Sequence, residues 1–285
     1  MIDTVGKFAL RRIAIAGSAL LLALLAGAPA FAGEAAVDAV FKTGILKVAV
    51  YRDFFPYSDA KEGGIDVDLA NALAERLGVK ASVLPFDAGD NLNDDLRNMV
   101  WKGHYLGYGP ADVMLHVPND PGLARQNDKV LIFSPYQVEG VALAINPQRI
   151  PEWQGLEVFA HEKVAVDGGS FAAQIILGAD GGRYLEHVVI ERNIRAAIGQ
   201  LTSGAVAAVM GTRAELEAGG ASKPPYQMVE LHLPGAPLRS WAVGLAVKND
   251  RTELAERLKA AIQQMQADGS MSKIFSQHGV RNVQP

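Results

Sequence analysis

Residues 45–84, ILKVAVYRDFFPYSDAKEGGIDVDLANALAERLGVKASVL, contain the pattern that decides the fold. A short β-rich run opens this stretch at residues 45–50, and a second one closes it at residues 79–84. Between them, apolar residues recur at helical spacing over residues 66–77, and the pattern stops at Gly78. A strand, a helix and a second strand in this order predict a βαβ unit, from which parallel sheets covered by helices are built.

The same alternation continues to the end of the chain. Further strands are predicted at 112–115, 140–145, 163–166, 187–190, 206–210, 227–231 and 241–247, and helices around 92–101, from 170, over 193–202 and from 212. A closing helix is predicted after a D-x-x-E capping pair, Asp250 and Glu253. The pattern predicts an α/β protein with two sets of βα units, each large enough for its own core, although a single larger α/β domain would give much the same pattern.

The first 32 residues have the organisation of a secretory signal. Lys7, Arg11 and Arg12 precede a small-apolar run at residues 13–28, and Ala-Phe-Ala at residues 30–32 is typical of a cleavage site before Gly33. The run is short for a membrane-spanning helix, although an uncleaved anchor is the alternative. The paired arginines lack the rest of a twin-arginine pattern, which favours the ordinary secretion route. We therefore expect a soluble periplasmic product, exported by a cleavable signal peptide.

Composition excludes several classes of function. The chain has 49% hydrophobic and 20% charged residues, which is typical of a globular protein. Lys and Arg number 27 against 31 Asp and Glu, without a basic stripe, which argues against a nucleic-acid partner. The chain has no cysteine, which excludes disulfides, thiolate metal sites and a cysteine nucleophile.

Eight short motifs in order make the chain resemble the bacterial family 3 extracellular solute-binding proteins. Any one of them is weak, but together they span nearly the whole chain after the signal segment. They are Phe-Phe-Pro-Tyr at 54–57, GIDVDL at 64–69, DVML at 112–115, FSPY at 133–136, VAVDGGS at 164–170, GAVAAV at 204–209, VGLAV at 243–247 and ADG at 267–269.

This resemblance implies the type II periplasmic-binding-protein fold. Each of its two lobes is a mostly parallel sheet flanked by helices, and two crossing strands join the lobes, which close on a ligand by a hinge motion. On this reading residues 33–140 and 241–285 form the first lobe, and residues 141–240 form the second. The implied function is capture of a small solute by a monomer that delivers it to an inner-membrane ABC permease.

The resemblance also places the ligand-binding residues of the first lobe. An aromatic side chain of the Phe-Phe-Pro-Tyr turn stacks on the ligand in relatives, which implies Phe54, with Tyr57 beside it. After the DVML strand, relatives have small polar residues and then an arginine six residues before the FSPY motif. Here the strand is followed by His116, Asn119 and Asp120, and Arg125 lies eight residues before Phe133, out of register with that arginine.

In the second lobe the resemblance points to two helix starts. Gly169 and Ser170 offer backbone N–H groups that suit an anionic group on the ligand. The aspartate that holds the α-ammonium in relatives falls on Thr212, which carries no charge, although Arg213 beside it is a second candidate cation. Because both charge partners of a zwitterion are lost or displaced, we expect a small polar or aromatic-bearing solute that is not a standard free amino acid.

The remaining motifs favour neither catalysis nor a cofactor. Metal binding by His116 with Asp120, Asn119 or His104 is a weaker alternative to a hydrogen-bonded histidine, because no histidines pair at helical spacing. Asp66 and Asp68 are interpreted as helix-capping residues. We therefore expect no enzyme, metal or cofactor. There are two alternatives. The chain is an accessory binding protein whose partner is a periplasmic redox enzyme, a quinoprotein dehydrogenase, or it is a periplasmic dehydratase that uses His116 or Asp120 as base. The stretch from His104 to Pro110 looks inserted and is either a cleft-edge or a packed surface loop.

Overall fold

The computed structural model describes residues 38–59, 61–231 and 240–285, so the predicted signal segment lies outside the described residues. The strands are β1 Ile45–Tyr51, β2 Asp53–Phe54, β3 Ser58–Asp59, β4 Lys80–Phe86, β5 Val113–Pro118, β6 Val130–Ile145, β7 Val164–Asp167, β8 Val188–Glu191, β9 Ala208–Thr212, β10 Gln227–Glu230 and β11 Ser240–Lys248. The α-helices are α1 Ala39–Thr43, α2 Ile65–Arg76, α3 Leu92–Leu96, α4 Pro121–Gln126, α5 Phe171–Gly178, α6 Ile194–Thr202, α7 Arg213–Ala218, α8 Thr252–Ala267 and α9 Ser270–Gln277. None of the helices in this described part combines the length and hydrophobicity of a membrane-spanning segment.

The predicted βαβ unit forms one edge of the first sheet. β1 pairs in parallel with β4 on one side and β5 on the other, and β11 and β6 continue the sheet in antiparallel pairing. Leu46, Val48 and Val50 point into a core against α2, α8 and α9, whereas Ala49 packs into a second core with α3 and the π-helical turn Arg97–Trp101. Because helices cover both faces of the sheet at β1, this strand is almost continuously apolar.

A second sheet has the strand order β10, β6, β9, β7 and β8, and β2 and β3 form a separate two-stranded antiparallel sheet. β7 pairs in parallel with β8 and β9, while β6 and β9 run antiparallel. Hydrophobic residues again cover both faces, with α5 on one side and α6 on the other. The predicted α/β class with mostly parallel sheets is confirmed.

The long strand β6 belongs to both sheets. Its part up to Gly140 pairs with β11, and from Val141 onward it pairs with β9. The predicted strand at 140–145 is thus only the last third of β6, which also contains the FSPY motif. The proline is tolerated inside the strand because a β-bulge interrupts the pairing there.

Gly244 of β11 lies at the centre of this irregularity. The register of β11 shifts at Gly244 against both β5 and β6, and a Cβ there would lie 2.5 Å from the carbonyl oxygen of Phe133. Two residues with positive φ face the bulge, His116 at 59° in β5 and Ser134 at 48° in β6. Such non-glycine conformations are uncommon and often occur at functional sites, where they direct a side chain.

The predicted cap of the closing helix is wrong. α8 starts at Thr252, and the residue before it, Arg251, gives no side-chain cap. Asp250 instead forms an ion pair with Lys248 at 2.5 Å, and Glu253 accepts a hydrogen bond from the backbone N–H of Asp38 at 2.9 Å. Asp250 thus forms a local ion pair and Glu253 a tertiary contact, so neither carboxylate caps the helix.

Candidate functional site

Three of the predicted ligand-binding side chains form one aromatic group. The rings of Phe54 and Tyr57 stack at 5.3 Å, the His116 ring lies 4.0 Å from that of Tyr57, and Phe54 meets His116 edge-on at 4.8 Å. Phe54 is partly exposed, whereas Tyr57 is only 1% exposed. We call Phe54, Tyr57 and His116 the aromatic platform; it lies at the carboxyl end of β5, where α/β proteins bind ligands.

A buried polar network supports the platform from below. The Tyr136 hydroxyl accepts a hydrogen bond from the His116 backbone N–H at 3.0 Å and donates one to Asp66 Oδ1 at 3.0 Å. The other Asp66 oxygen lies 3.5 Å from His116 Nδ1. The Tyr57 hydroxyl donates to Glu139 Oε1, which also accepts from Gln137 Nε2 at 3.1 Å. The network joins α2, β5 and β6.

Burial changes the acid strength of this network. It raises the pKa of Glu139 and holds the pKa values of Tyr57 and Tyr136 well above the ordinary tyrosine value, so both hydroxyls are donors. Within the part of the chain that the structure describes, His116 Nδ1 and Glu139 Oε2 are buried without a hydrogen-bond partner. Unpaired buried polar atoms are costly, which marks the place as a candidate site.

Asp66, Tyr136 and Glu139 are functional candidates that the sequence analysis missed. The interpretation of Asp66 as a helix cap is wrong, because it is 1% exposed and accepts from Tyr136, while Gly64 occupies the cap position. Glu139 carried a detectable signal, since it is the one acidic residue in the apolar stretch of β6.

The other predicted residues of the first lobe do not join the platform. Asn119 is exposed and its backbone N–H donates to the Ala242 carbonyl oxygen. Asp120 caps α4 by accepting from the Leu123 N–H at 2.7 Å, so its carboxylate has a structural role. Arg125 is exposed in the last turn of α4. The loop from His104 to Pro110 precedes β5, at the opposite end of this strand from His116, and places Tyr105 88% exposed.

The predicted anion-binding amides of the second lobe have protein partners. The Gly169 N–H donates to Asp167 Oδ1 at 2.9 Å, and the Ser170 N–H donates to the Asp167 carbonyl oxygen at 3.0 Å. The Ser170 hydroxyl caps α5 by accepting from the Ala173 N–H. A ligand at this turn would have to replace the Asp167 contacts.

Thr212 is the cap of α7. Its hydroxyl accepts from the Glu215 N–H at 3.3 Å, and Glu215 Oε2 accepts from the Thr212 N–H at 2.7 Å, which completes a capping box. Burial raises the pKa of Glu215 to about 7, with Asp167 and Glu139 adding to the increase. Arg213 is buried against Glu217 at 2.9 Å and also donates to the Val138 carbonyl oxygen, so its charge is already paired.

Side chains next to the aromatic platform and on β11 contact helices α6 and α5 of the second lobe. Phe55, the neighbour of Phe54, packs against the α6 side of the second core, with the Arg195 guanidinium 4.3 Å from its ring centroid. Arg195 also pairs with Glu62 at 2.5 Å. Trp241 of β11 meets Phe171 of α5 edge-on at 5.9 Å.

Among the described residues, no group of three or more acidic or histidine side chains is arranged to hold a metal ion.

The sequence is similar to that of a curated protein over a short stretch of the chain. No protein-family model matches the chain. A stretch of 68 residues is 44% identical to the cyclohexadienyl dehydratase of Pseudomonas aeruginosa, covering 22% of this chain and 25% of that protein. The chain therefore matches only a quarter of the length of this curated relative.

Comparison with solved structures covers most of the chain. An ancestral cationic amino acid solute-binding protein, AncCDT-1, matches with a TM-score of 0.65 and 23% identity over 84% of this chain and 97% of its own. An ancestral arginine-binding protein bound to arginine matches with a TM-score of 0.56 and 26% identity over 82% and 97%. A substrate-binding protein of an amino acid ABC transporter from Streptococcus pneumoniae, bound to L-arginine, gives 0.58 and 21% over 84% and 96%. The resemblance to family 3 solute-binding proteins is therefore confirmed by these structures, and the chain has their two-lobed α/β fold.

Proposed function

We propose that this chain is a periplasmic solute-binding protein that captures a small polar or aromatic-bearing solute between its lobes and delivers it to an inner-membrane ABC importer. The observation that carries the proposal is the aromatic platform at the carboxyl end of β5, next to the crossing strands of a solute-binding fold. Phe54 offers a partly exposed ring for stacking, and the buried ring of His116 packs against it edge-on.

The proposed solute is not a standard free amino acid. Arg125 is exposed on α4, and the charge of Arg213 is paired with Glu217, so neither is poised to hold an α-carboxylate. Thr212 is neutral, and Glu215 beside it has a pKa of about 7, so at neutral pH it provides only part of a negative charge for an α-ammonium.

The proposed export follows from residues 1–32, which we propose to be a cleavable signal, and the monomeric state is a proposal from the sequence. Sequencing the N-terminus of the protein from a periplasmic fraction tests the signal. We expect it to begin at or near Gly33, whereas retention of residues 1–32 in a membrane pellet would indicate an anchored receptor.

A thermal-shift screen tests the choice of solute. The protein is mixed separately with each member of two groups of compounds. The first group is the standard L-amino acids, and the second contains neutral aromatic compounds, neutral hydroxylated compounds and simple amines. A ligand at a hundred times its dissociation constant stabilises the folded state by about 2.7 kcal/mol, which is readily detected. We expect a shift from the second group only, and a clear shift with a standard amino acid at micromolar concentration would overturn the proposed selectivity.

A dehydratase is the second candidate, since part of the chain is similar to cyclohexadienyl dehydratase. The predicted base Asp120 does not fit, because it caps α4, whereas His116 lies beside the buried carboxylate of Asp66. Incubation with a cyclohexadienyl alcohol tests the candidate, because loss of water would give an aromatic product with a new ultraviolet absorbance. Binding without product supports the transport role. The accessory role beside a quinoprotein dehydrogenase stays a prediction from the sequence.

A further inference from the structure

Glu139 lies in the middle of β6, the strand that both sheets share. It is 2% exposed, and it pairs with Trp241 of β11 two residues before β6 begins to pair with β9. The adjacent Val138 carbonyl oxygen accepts a hydrogen bond from Arg213 of α7 in the second lobe. Glu139 is therefore placed where the backbone passes from one lobe to the other.

The side chain of Glu139 is hydrogen-bonded to the aromatic platform at Tyr57. Its Oε1 accepts from the Tyr57 hydroxyl, while its Oε2 has no partner among the described residues. The Tyr57 ring lies between the other two platform rings, 5.3 Å from Phe54 and 4.0 Å from His116. Tyr57 is buried and its hydroxyl is held by Glu139, and the rings of Phe54 and His116 both pack against the Tyr57 ring.

The neighbouring Gln137 links β6 to the C-terminal residues. Gln137 donates to the same Glu139 oxygen at 3.1 Å, and its own Oε1 accepts from Asn282 at 3.0 Å and from the Val283 N–H at 2.9 Å. The C-terminal residues thus hold β6 through Gln137, whereas the platform depends on Glu139. The two functions are separable by mutation.

We infer that Glu139 is a positioning residue, which couples the strand between the lobes to the aromatic platform through the Tyr57 hydroxyl. The inference rests on the proposed function, because the platform is taken to be the ligand-stacking surface. When the lobes rotate about the crossing strands, movement of β6 at Glu139 is transmitted to Tyr57, and from there to Phe54 and His116. Glu139 is expected to touch no ligand itself.

The test follows the His116 ring in ligand-free protein labelled at its six histidines, with the resonance assigned by a His116→Asn variant. Ring currents from Phe54 and Tyr57 displace the His116 signals, so movement of Tyr57 shifts them. Glu139→Leu removes the acceptor and is expected to shift the His116 resonance. Glu139→Gln keeps an oxygen acceptor for Tyr57 and is expected to restore it. Tyr57→Phe, which keeps the ring, is expected to shift the resonance in the same direction, and it replaces Glu139→Leu if that variant does not fold.

Asn282→Ala is the matched control. It removes the hydrogen bonds that Asn282 donates to the Tyr136 carbonyl oxygen, at 2.9 Å, and to Gln137 Oε1, at 3.0 Å, both on β6. Asn282 makes neither of these bonds to Tyr57. We expect it to lower the melting temperature and leave the His116 resonance in place. An unchanged resonance in Glu139→Leu or in Tyr57→Phe, or an equal shift in Asn282→Ala, would overturn the inference.

The measurement needs no ligand, so its failure is distinct from failure of the proposed function. If a solute binds but the resonance does not move, only the coupling is wrong. If the resonance moves but no solute binds, the proposed function fails while the coupling stands.

Discussion

The two halves of the predicted site are built differently. In the first lobe, Phe54, Tyr57 and His116 contact one another above a buried network that leaves polar atoms unpaired. In the second lobe, Ser170 and Thr212 each cap a helix, and the hydrogen bonds of the nearby amides are made within the protein. The first half is thus prepared for a partner, whereas the second half is locally satisfied. On the proposed function, we expect the first lobe to supply most of the recognition and the second lobe mainly to close over the solute.

Substitution of Tyr57 tests the first half and has the largest expected effect. Tyr57→Ala removes a fully buried ring and its hydrogen bond, so the free energy of unfolding should fall by about 3 to 5 kcal/mol. Tyr105→Ala, at a tyrosine 88% exposed, is the control and should change it by less than about 0.5 kcal/mol. Urea unfolding of both variants provides the comparison, and equal losses would show that the platform is not part of the core.

The pH dependence of the free energy of unfolding tests whether Glu215 in the second lobe is buried as described. Its pKa is about 7 in the folded protein against an ordinary value of 4.5, so the folded state keeps a proton that the unfolded state loses. Glu215 therefore contributes a decrease in stability as pH rises from about 4.5 to 7, with an upper limit of about 3 kcal/mol. Glu215→Gln should flatten this part of the profile. Coincident profiles for the two proteins would show that Glu215 titrates normally.

The cap at Thr212 gives the smallest effect. Thr212→Ala removes the hydroxyl that accepts from the Glu215 N–H, which should cost about 1 kcal/mol of stability, whereas Thr212→Ser keeps the hydroxyl and should stay near wild type. Solute affinity should change little in either variant if Thr212 acts only as a cap. A large loss of affinity in Thr212→Ala with unchanged stability would move recognition into the second lobe.

The sequence predicted local features well and tertiary contacts poorly. The βαβ unit at 45–84 and the helix starts at Ser170, Asn193 and Thr212 follow from periodicity and capping residues, which act over a few positions. The sixteen-residue strand β6 was missed because its proline lies in a bulge that forms only when β6 pairs with β11, a strand far away in the chain.

The same limit applies to the candidate site. Phe54, Tyr57 and His116 were found through their motifs and do lie together. Asp66 became recognisable only when its partner Tyr136, 70 positions away in the chain, was in place. Glu139 stood out as the one acidic residue of β6, but its partner Tyr57 lies 82 positions away. Conversely, Asp120 was selected as a polar residue near the cleft but caps its own helix, a local use that its N-cap position before Pro121 could have indicated.

The central claim is that a solute stacks on Phe54, and the most direct measurement compares the affinity of two phenylalanine variants. Phe54 and Phe41 are both partly buried against the same core, but Phe41 lies on α1 under Arg257. The solute retained by the purified protein is identified by native mass spectrometry, and its dissociation constant is measured by calorimetry. We predict that Phe54→Ala weakens binding by about 1 to 3 kcal/mol while Phe41→Ala leaves it unchanged. Equal affinities in the two variants, with a large loss of stability in Phe54→Ala, would contradict the account.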